Sequence, residues 1–373
     1  MAAEAEQPGP PGAPHSEDFV YSEDEFILHG AGWRSEPAPP GYMLSRFDRA
    51  LQEGWKHRME LGLFRYHLGE LETRVLPGPM QLVAQLNVQR GTEKRKSQAI
   101  HSVTQPFNPQ EFNFTQIRPG EVLFRMRRSP ACPPAAGCPQ LDYVLVVINV
   151  SPLELGHVLL LPEPTLHLPQ VLTPELLRFG LDAVLLSAHP GFRVGFNSLG
   201  AFASVNHLHL HGFYLGWPLL VESAPAEPLS PAPGLFFLRG VPAPGFLFYS
   251  QGAGLDALAR DVCRAADHLL RRGVAYNVLV TRGEPPRGEP PRAGGARAGL
   301  RVLLWARRAA LGPGAQAALP VALCELAGHL PVAAAPAFRG LTEAEALGAI
   351  RQHLLPEPQL EQLRGDLARL LAP

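Results

Sequence analysis

The sequence contains no run of 18 apolar residues free of charge or proline, so no part of it reads as a membrane span. Neither sign of charge is in excess: Lys and Arg total 33 and Asp and Glu total 34 among 373 residues. That balance leaves no overall field to gather nucleic acid or an anionic membrane, although a local basic pocket for a small phosphate ligand stays open. Cysteine is scarce. Cys132 and Cys138 fall in a proline-rich loop, and Cys263 and Cys324 fall in apolar helical patterns. No CxxC or HExxH spacing occurs, which argues against a zinc ribbon or a zinc hydrolase. The opening stretch has no basic n-region and no apolar h-region, so it is not read as a secretory signal, and the expected compartment is the reducing cytoplasm.

What the sequence does have is a globular composition, 46% hydrophobic and 18% charged, at a length that suggests two domains. Its 36 glycines and 40 prolines gather in a few segments. Residues 1–18 read as a disordered tail, 222–234 (ESAPAEPLSPAPG) as a linker, and 283–299 as a flexible loop. This leaves an N-terminal domain at 19–221 and a smaller C-terminal domain at 235–373. Phe47, Leu51, Trp55 and Met59 recur at helical spacing, and the reading extends that helix over 44–75. A strand-like run then ends in the basic segment Arg90 to Lys96, either a solvated loop or a phosphate contact.

Residues 143–150 (YVLVVINV) and 157–161 (HVLLL) read as buried strands. Thr173-Pro174-Glu175 opens a helix that stops before Pro190, with a capping hydroxyl and proline at the first helical position. Residues 192–197 and 205–215 read as further strands. A helix over 255–272 and strands at AYNVLVTRG and LRVLLWARR repeat this order more faintly, as a degenerate second copy would. Two more helices are expected over 342–354 and 358–371.

The segment Ser204-Val-Asn-His-Leu-His-Leu-His-Gly-Phe carries the chemistry. Side chains alternate across a strand, so His207, His209 and His211 share one face while Leu208 and Leu210 point into a core. One buried histidine is ordinary packing, but three in register need a polar site, because each ring carries a donor and an acceptor to satisfy. Metal binding is one reading. Same-face positions on a strand lie about 6.6 Å apart, however, and zinc needs nitrogens at about 2.1 Å. Nucleophilic attack on phosphorus is the other: a neutral imidazole attacks, and its neighbours position phosphate oxygens. His157 and His189, at a hairpin start and a helix end, read as ordinary.

HLHLHGF resembles the HxHxHxx signature of the histidine triad superfamily. FNFTQI at 112–117 resembles the opening strand region of triad domains, and residues 149–162 (NVSPLELGHVLLLP) resemble their hairpin. ELGLFRY, VAQLNVQRG, FRVGFNSLG, PAPGFLFY and VALCELAGHLPV extend the likeness over nearly the whole chain. They resemble the GDP-D-glucose phosphorylase family, which is related to plant GDP-L-galactose phosphorylases and to galactose-1-phosphate uridylyltransferases.

The resemblance implies an α+β fold, with a triad-like antiparallel sheet and helices followed by a second, smaller and degenerate triad-like half. It implies phosphorolysis of GDP-α-D-glucose by inorganic phosphate, through a guanylyl intermediate on His209 and without a cofactor or metal. By position in the motif, His207 orients His209 or donates to phosphate, His211 and Ser204 hold non-bridging oxygens, and Asn197 contacts ribose or phosphate. The resemblance places the base pocket at Phe112–Ile117. Related transferases often carry Gln where this chain has His211, as triad hydrolases do. A nucleotide hydrolase therefore stays open beside the phosphorylase, as does a non-catalytic guanine-nucleotide sensor. Two triad-like halves in one chain favour a monomer, with a dimer as the alternative.

Overall fold

Apolar, β-branched runs build the centre of the molecule. In the computed structural model, which describes residues 17–27, 43–95, 97–129, 141–287, 299–312 and 320–373, they form fourteen strands. These are β1 Asp18–Tyr21, β2 Thr73–Val75, β3 Val83–Leu86, β4 Val122–Arg128, β5 Tyr143–Ile148, β6 Val158–Leu161, β7 Phe192–Asn197, β8 Leu210–Tyr214, β9 Ala226–Pro228, β10 Leu235–Leu238, β11 Gly245–Ser250, β12 Ala275–Gly283, β13 Gly299–Arg307 and β14 His329–Val332. The helices are α1 Arg46–Glu60, α2 Val88–Glu93, α3 Pro174–Leu186, α4 Leu255–Arg271, α5 Leu323–Ala327, α6 Ala335–Gly340, α7 Glu343–His353 and α8 Glu357–Leu370. The cysteine-bearing loop at 130–140, Lys96, the tail up to residue 16 and most of the 283–299 loop lie outside the described residues.

Eleven strands make one sheet in the order β1-β4-β5-β6-β8-β7-β12-β13-β11-β10-β9. Its neighbours are antiparallel except β1 and β4, which run parallel. A small second sheet has the order β14-β3-β2. The faint repeat in the sequence is a repeat of topology. The series β5-β6-β8-β7, with α3 before β7, matches β10-β11-β13-β12, with α4 before β12. The two series run in from opposite ends and meet where Asn197 pairs with Asn277. The expected α+β class, with a second triad-like half, is the observed one.

Alternation along the strands separates two faces. Val194, Phe196, Leu208, Leu210, Val278, Val302 and Leu304 point to one side and form a core with α3 and α4. Eleven of the thirteen residues of α3 are buried, which makes it an internal helix rather than a surface one. Its charges are therefore paired: Asp182 accepts from Tyr21 Oη, Arg128 Nε and Arg178 Nε at 2.7–2.8 Å. On the other side Phe213, Leu279, Leu303 and Trp305 join Leu323 and Leu330 in a second core. The half that lacks the histidine row presents Arg301, Leu303, Trp305 and Arg307 there instead.

Several boundaries differ from the reading of the sequence. The first helix ends at Glu60, not near residue 75, because Gly62 takes a left-handed φ of 68° just beyond it. The segment 222–234 carries the edge strand β9 and buries Leu229 and Ala232. Residues 112–117 hold a 3-10 turn, Phe114–Gln116, in place of a strand, because Asn113 Oδ1 accepts from Thr115 N–H and closes the chain locally.

Candidate functional site

The histidine strand is shorter than its pattern suggests. Ladder pairing starts at Leu210; before it, Leu208 N–H donates to the Leu168 carbonyl at 2.9 Å, and Asn206 and His209 are held by side chains. Gln98 Oε1 accepts from Asn206 N–H at 2.7 Å. Gln170 grips His209 twice: its Oε1 accepts the His209 N–H at 2.9 Å, and its Nε2 donates to the His209 carbonyl at 3.2 Å. The same Nε2 donates to the Asn197 carbonyl at 3.0 Å. Gln170 is 1% exposed, so these bonds work in a dry interior where their loss is costly.

The His209 ring is 2% exposed and its Nδ1 lies 2.7 Å from the His207 carbonyl. A carbonyl only accepts, so the proton sits on Nδ1 and Nε2 keeps its lone pair. Among the described residues nothing hydrogen-bonds Nε2, and the ring lines a cavity. Burial lowers its pKa to about 4, outweighing the opposing pull of the His207 carbonyl. The ring is neutral at physiological pH.

His211 and His157 form a relay. Leu153 N–H donates to His157 Nδ1 at 2.8 Å, which leaves the His157 proton on Nε2. That nitrogen lies 3.1 Å from both His211 Nδ1 and Asn149 Nδ2, and since an amide nitrogen cannot accept, its proton goes to His211 Nδ1. His211 therefore carries its own proton on Nε2, as a donor, in a ring that also lines the cavity. Burial holds both rings well below the ordinary histidine value. His207 behaves differently. Its Nδ1 accepts from Phe114 N–H at 3.0 Å, and its ring stacks on Phe114 with centroids 5.4 Å apart. It is absent from the cavity lining, so what it gives His209 is its carbonyl.

Asn197 Oδ1 accepts from Asn277 Nδ2 at 2.6 Å and from Leu323 N–H at 3.3 Å. Its own amide hydrogens are left for the cavity, whose wall it shares with Ser204. The cavity measures about 410 Å³, within the range of small-molecule sites. One end is apolar, with Phe112, Phe114, Ile117 and Val205 beside Glu121. From Phe114 the rings of His209, His211 and His157 follow one another, with centroids 4.9–5.3 Å apart. The C-terminal half contributes to the wall as well, with Cys324 and Glu325 on α5. Burial raises the Glu325 carboxyl to about 7 and raises the Cys324 thiol.

The basic segment also reaches this wall. Asn87 Oδ1 caps a short helix by accepting from Arg90 N–H at 3.0 Å, and Arg90, Lys94 and Arg95 all face the cavity. Among the described residues no group of three or more His, Cys, Asp or Glu side chains could hold a metal ion.

The structure thus brings His209, His211, Asn197 and Ser204 to one cavity and places His207 behind it. His189, as expected, is elsewhere, at the end of α3 against Tyr214. His157, read as ordinary, lies in the cavity wall and fixes the His211 proton. Gln170 was not anticipated. It sits in an irregular stretch, LPQVL, whose spacing carries no signal. Asn277 was also missed, because its partner lies 80 positions away.

Residues 46–213 match the family model described as GDPGP1-like, N-terminal domain, and residues 234–372 match GDPGP1-like, C-terminal domain. The chain belongs to this family. Among its relatives is GDP-D-glucose phosphorylase 1 of Bos taurus, 55% identical over 362 residues, which cover 95% of this chain and 92% of the relative. The Homo sapiens protein of the same name is 53% identical over 359 residues, with the same coverage. GDP-L-galactose phosphorylase 1 of Arabidopsis thaliana is 30% identical, over 83% of this chain and 70% of that one. Among solved structures, the yeast Ap4A phosphorylase Apa2 in complex with Ap4A aligns with a TM-score of 0.53. It covers 84% of this chain and 98% of the yeast chain at 14% identity, a likeness of fold. Among the described residues no helix is long and apolar enough to cross a membrane.

Proposed function

We propose that this chain catalyses the phosphorolysis of GDP-D-glucose, giving α-D-glucose 1-phosphate and GDP, with His209 as the transient guanylyl carrier. His209 Nε2 attacks the α-phosphorus. The bond from that phosphorus to the bridging oxygen breaks, and glucose 1-phosphate leaves with the oxygen. An oxygen of inorganic phosphate then attacks the same phosphorus, the P–N bond breaks, and GDP departs. The leaving group is already a weak base, so little proton donation is needed. The catalytic demand is for positioning and for stabilising charge on the equatorial oxygens.

The observation that carries this reading is the bond from His209 Nδ1–H to the His207 carbonyl, which commits the lone pair on Nε2 to the cavity. The His211 Nε2–H, the Asn197 amide and the Ser204 hydroxyl supply neutral donors for phosphate oxygens, and Arg90 and Lys94 supply charge. His207 orients His209 through its backbone. We assign residues 19–221 to the catalytic half and 235–373 to the half that contributes to the cavity wall. The sheet edge at β7 is taken within the chain by β12, which favours a monomer. The cytoplasm, without membrane or nucleic acid partners, suits the near-zero net charge.

Product analysis tests the reading. GDP should form from GDP-D-glucose in proportion to added phosphate. GMP formed at a rate indifferent to phosphate would replace phosphorolysis by hydrolysis, the outcome that a histidine at position 211 keeps in play.

A further inference from the structure

The apolar part of the cavity wall carries one charge of each sign, Glu121 and Arg95. Phe112, Phe114, Ile117 and Val205 line a slot that opens beside the nucleophile, since the Phe114 ring meets the His209 ring edge-on at 5.1 Å. Two charged side chains share this end. Glu121 is buried, and Arg118 Nε donates to its Oε1 at 2.8 Å. Among the described residues nothing hydrogen-bonds its Oε2. Arg95 lies across the Phe112 ring, 3.3 Å from ring centroid to guanidinium carbon, close enough to Glu121 for the two charges to interact, without a hydrogen bond between them.

Such a pair is complementary to one purine. Guanine presents adjacent N–H donors at N1 and N2 and acceptors at O6 and N7. A carboxylate accepts from the first set, and a guanidinium donates to the second. Adenine reverses the pattern, placing an acceptor at N1 and an amino donor at the 6-position. Adenine would thus leave the buried Glu121 carboxylate facing an acceptor at N1 and offer the half-buried Arg95 an amino donor in place of O6, a mismatch that costs more than the lost contacts alone.

We propose that Glu121, with Arg95, reads the guanine edge and sets the base specificity of this cavity. This deepens the GDP-sugar reading given above and rests on it for the identity of the substrate. Its chemistry concerns the base alone.

The test is titration of the full-length protein with GMP, IMP and AMP, for the native sequence and for Glu121→Gln. Gln keeps the size of the side chain and an oxygen for Arg118, and it replaces one acceptor by a donor. The native protein should prefer GMP, and IMP, which lacks the 2-amino group, should fall between GMP and AMP. Glu121→Gln should weaken GMP by about ten- to a hundredfold, the loss expected for a hydrogen bond to a charged group. AMP binding should hold or improve, which also reports that the variant is folded. Equal weakening of GMP and AMP, no change in either, or a native protein indifferent to the base would each overturn the assignment. Phosphorolysis of GDP-glucose by the native protein is measured in parallel. If it occurs without base discrimination, the inference fails and the functional reading stands. If GMP is preferred but no phosphorolysis occurs, the reverse holds.

Discussion

Replacing Gln170 by Ala removes three buried hydrogen bonds, of 2.9, 3.0 and 3.2 Å, and leaves the His209 N–H, the His209 carbonyl and the Asn197 carbonyl without partners. Each orphaned buried group costs about 1–3 kcal/mol, and partial hydration of the new space offsets some of that, so a total of about 3–5 kcal/mol is expected. The second effect is geometric. Gln170 is what holds the backbone of residue 209 before the ladder begins at Leu210, so the ring loses its fixed position over the cavity. A displacement near 1 Å costs about a hundredfold in rate. Urea denaturation should report the stability loss. Steady-state kinetics should show a fall in kcat with little change in KM, because the side chains proposed to bind substrate keep their own partners, that of Asn197 through Asn277 and Leu323. Gln170→Glu sharpens the test: it keeps one acceptor for the His209 N–H and sets a carboxylate against two carbonyls, so it should rescue nothing. A Gln170→Ala protein destabilised by less than about 1 kcal/mol, with kcat within a factor of three of the native value, would refute this reasoning.

Two further predictions concern acid and packing. Burial holds His209 and His207 at about 4, so between pH 6.5 and 4 the unfolded chain binds protons that the folded chain does not. Stability is therefore complete above about pH 6.5 and falls as pH drops toward 4, with the two rings together removing about 4 kcal/mol between pH 7 and 5. Denaturant titrations at the two pH values check this, and equal stabilities would contradict it. Gly156 has a left-handed φ of 67°, and a Cβ there would lie 2.6 Å from the Tyr214 ring, whose hydroxyl is tied to Asp48 at 2.8 Å. Gly156→Ala should cost about 2–4 kcal/mol by thermal or chemical unfolding, since neither backbone nor ring can give way.

The sequence made the histidine face legible because alternation is a strict rule on extended backbone, whether or not a ladder forms. Leu208 and Leu210 face the core and His209 and His211 face the cavity, although only part of the stretch is strand. Thr173 and Pro174 placed the start of α3, since capping chemistry is local. The end of α1 was misread because the apolar spacing was extended past Gly62, whose left-handed turn is what stops the helix. The roles within the triad were less legible. Three side chains in register look equivalent as a pattern, yet His207 turns its ring onto Phe114 and offers its carbonyl, a division made by the 3-10 turn at 114–116. Gln170, His157 and Asn277 act through partners 39, 54 and 80 positions away, and no local spacing encodes such bonds.

The most direct measurement of the central claim is capture of the covalent state. Protein mixed with GDP-glucose labelled at the α-phosphate, without phosphate, and quenched in alkaline denaturant should carry up to one guanylyl group per chain, mapped to His209. Added phosphate should discharge that group as GDP, and His209→Asn should take up none. An active protein that stays unlabelled, or one labelled at another residue, would contradict it.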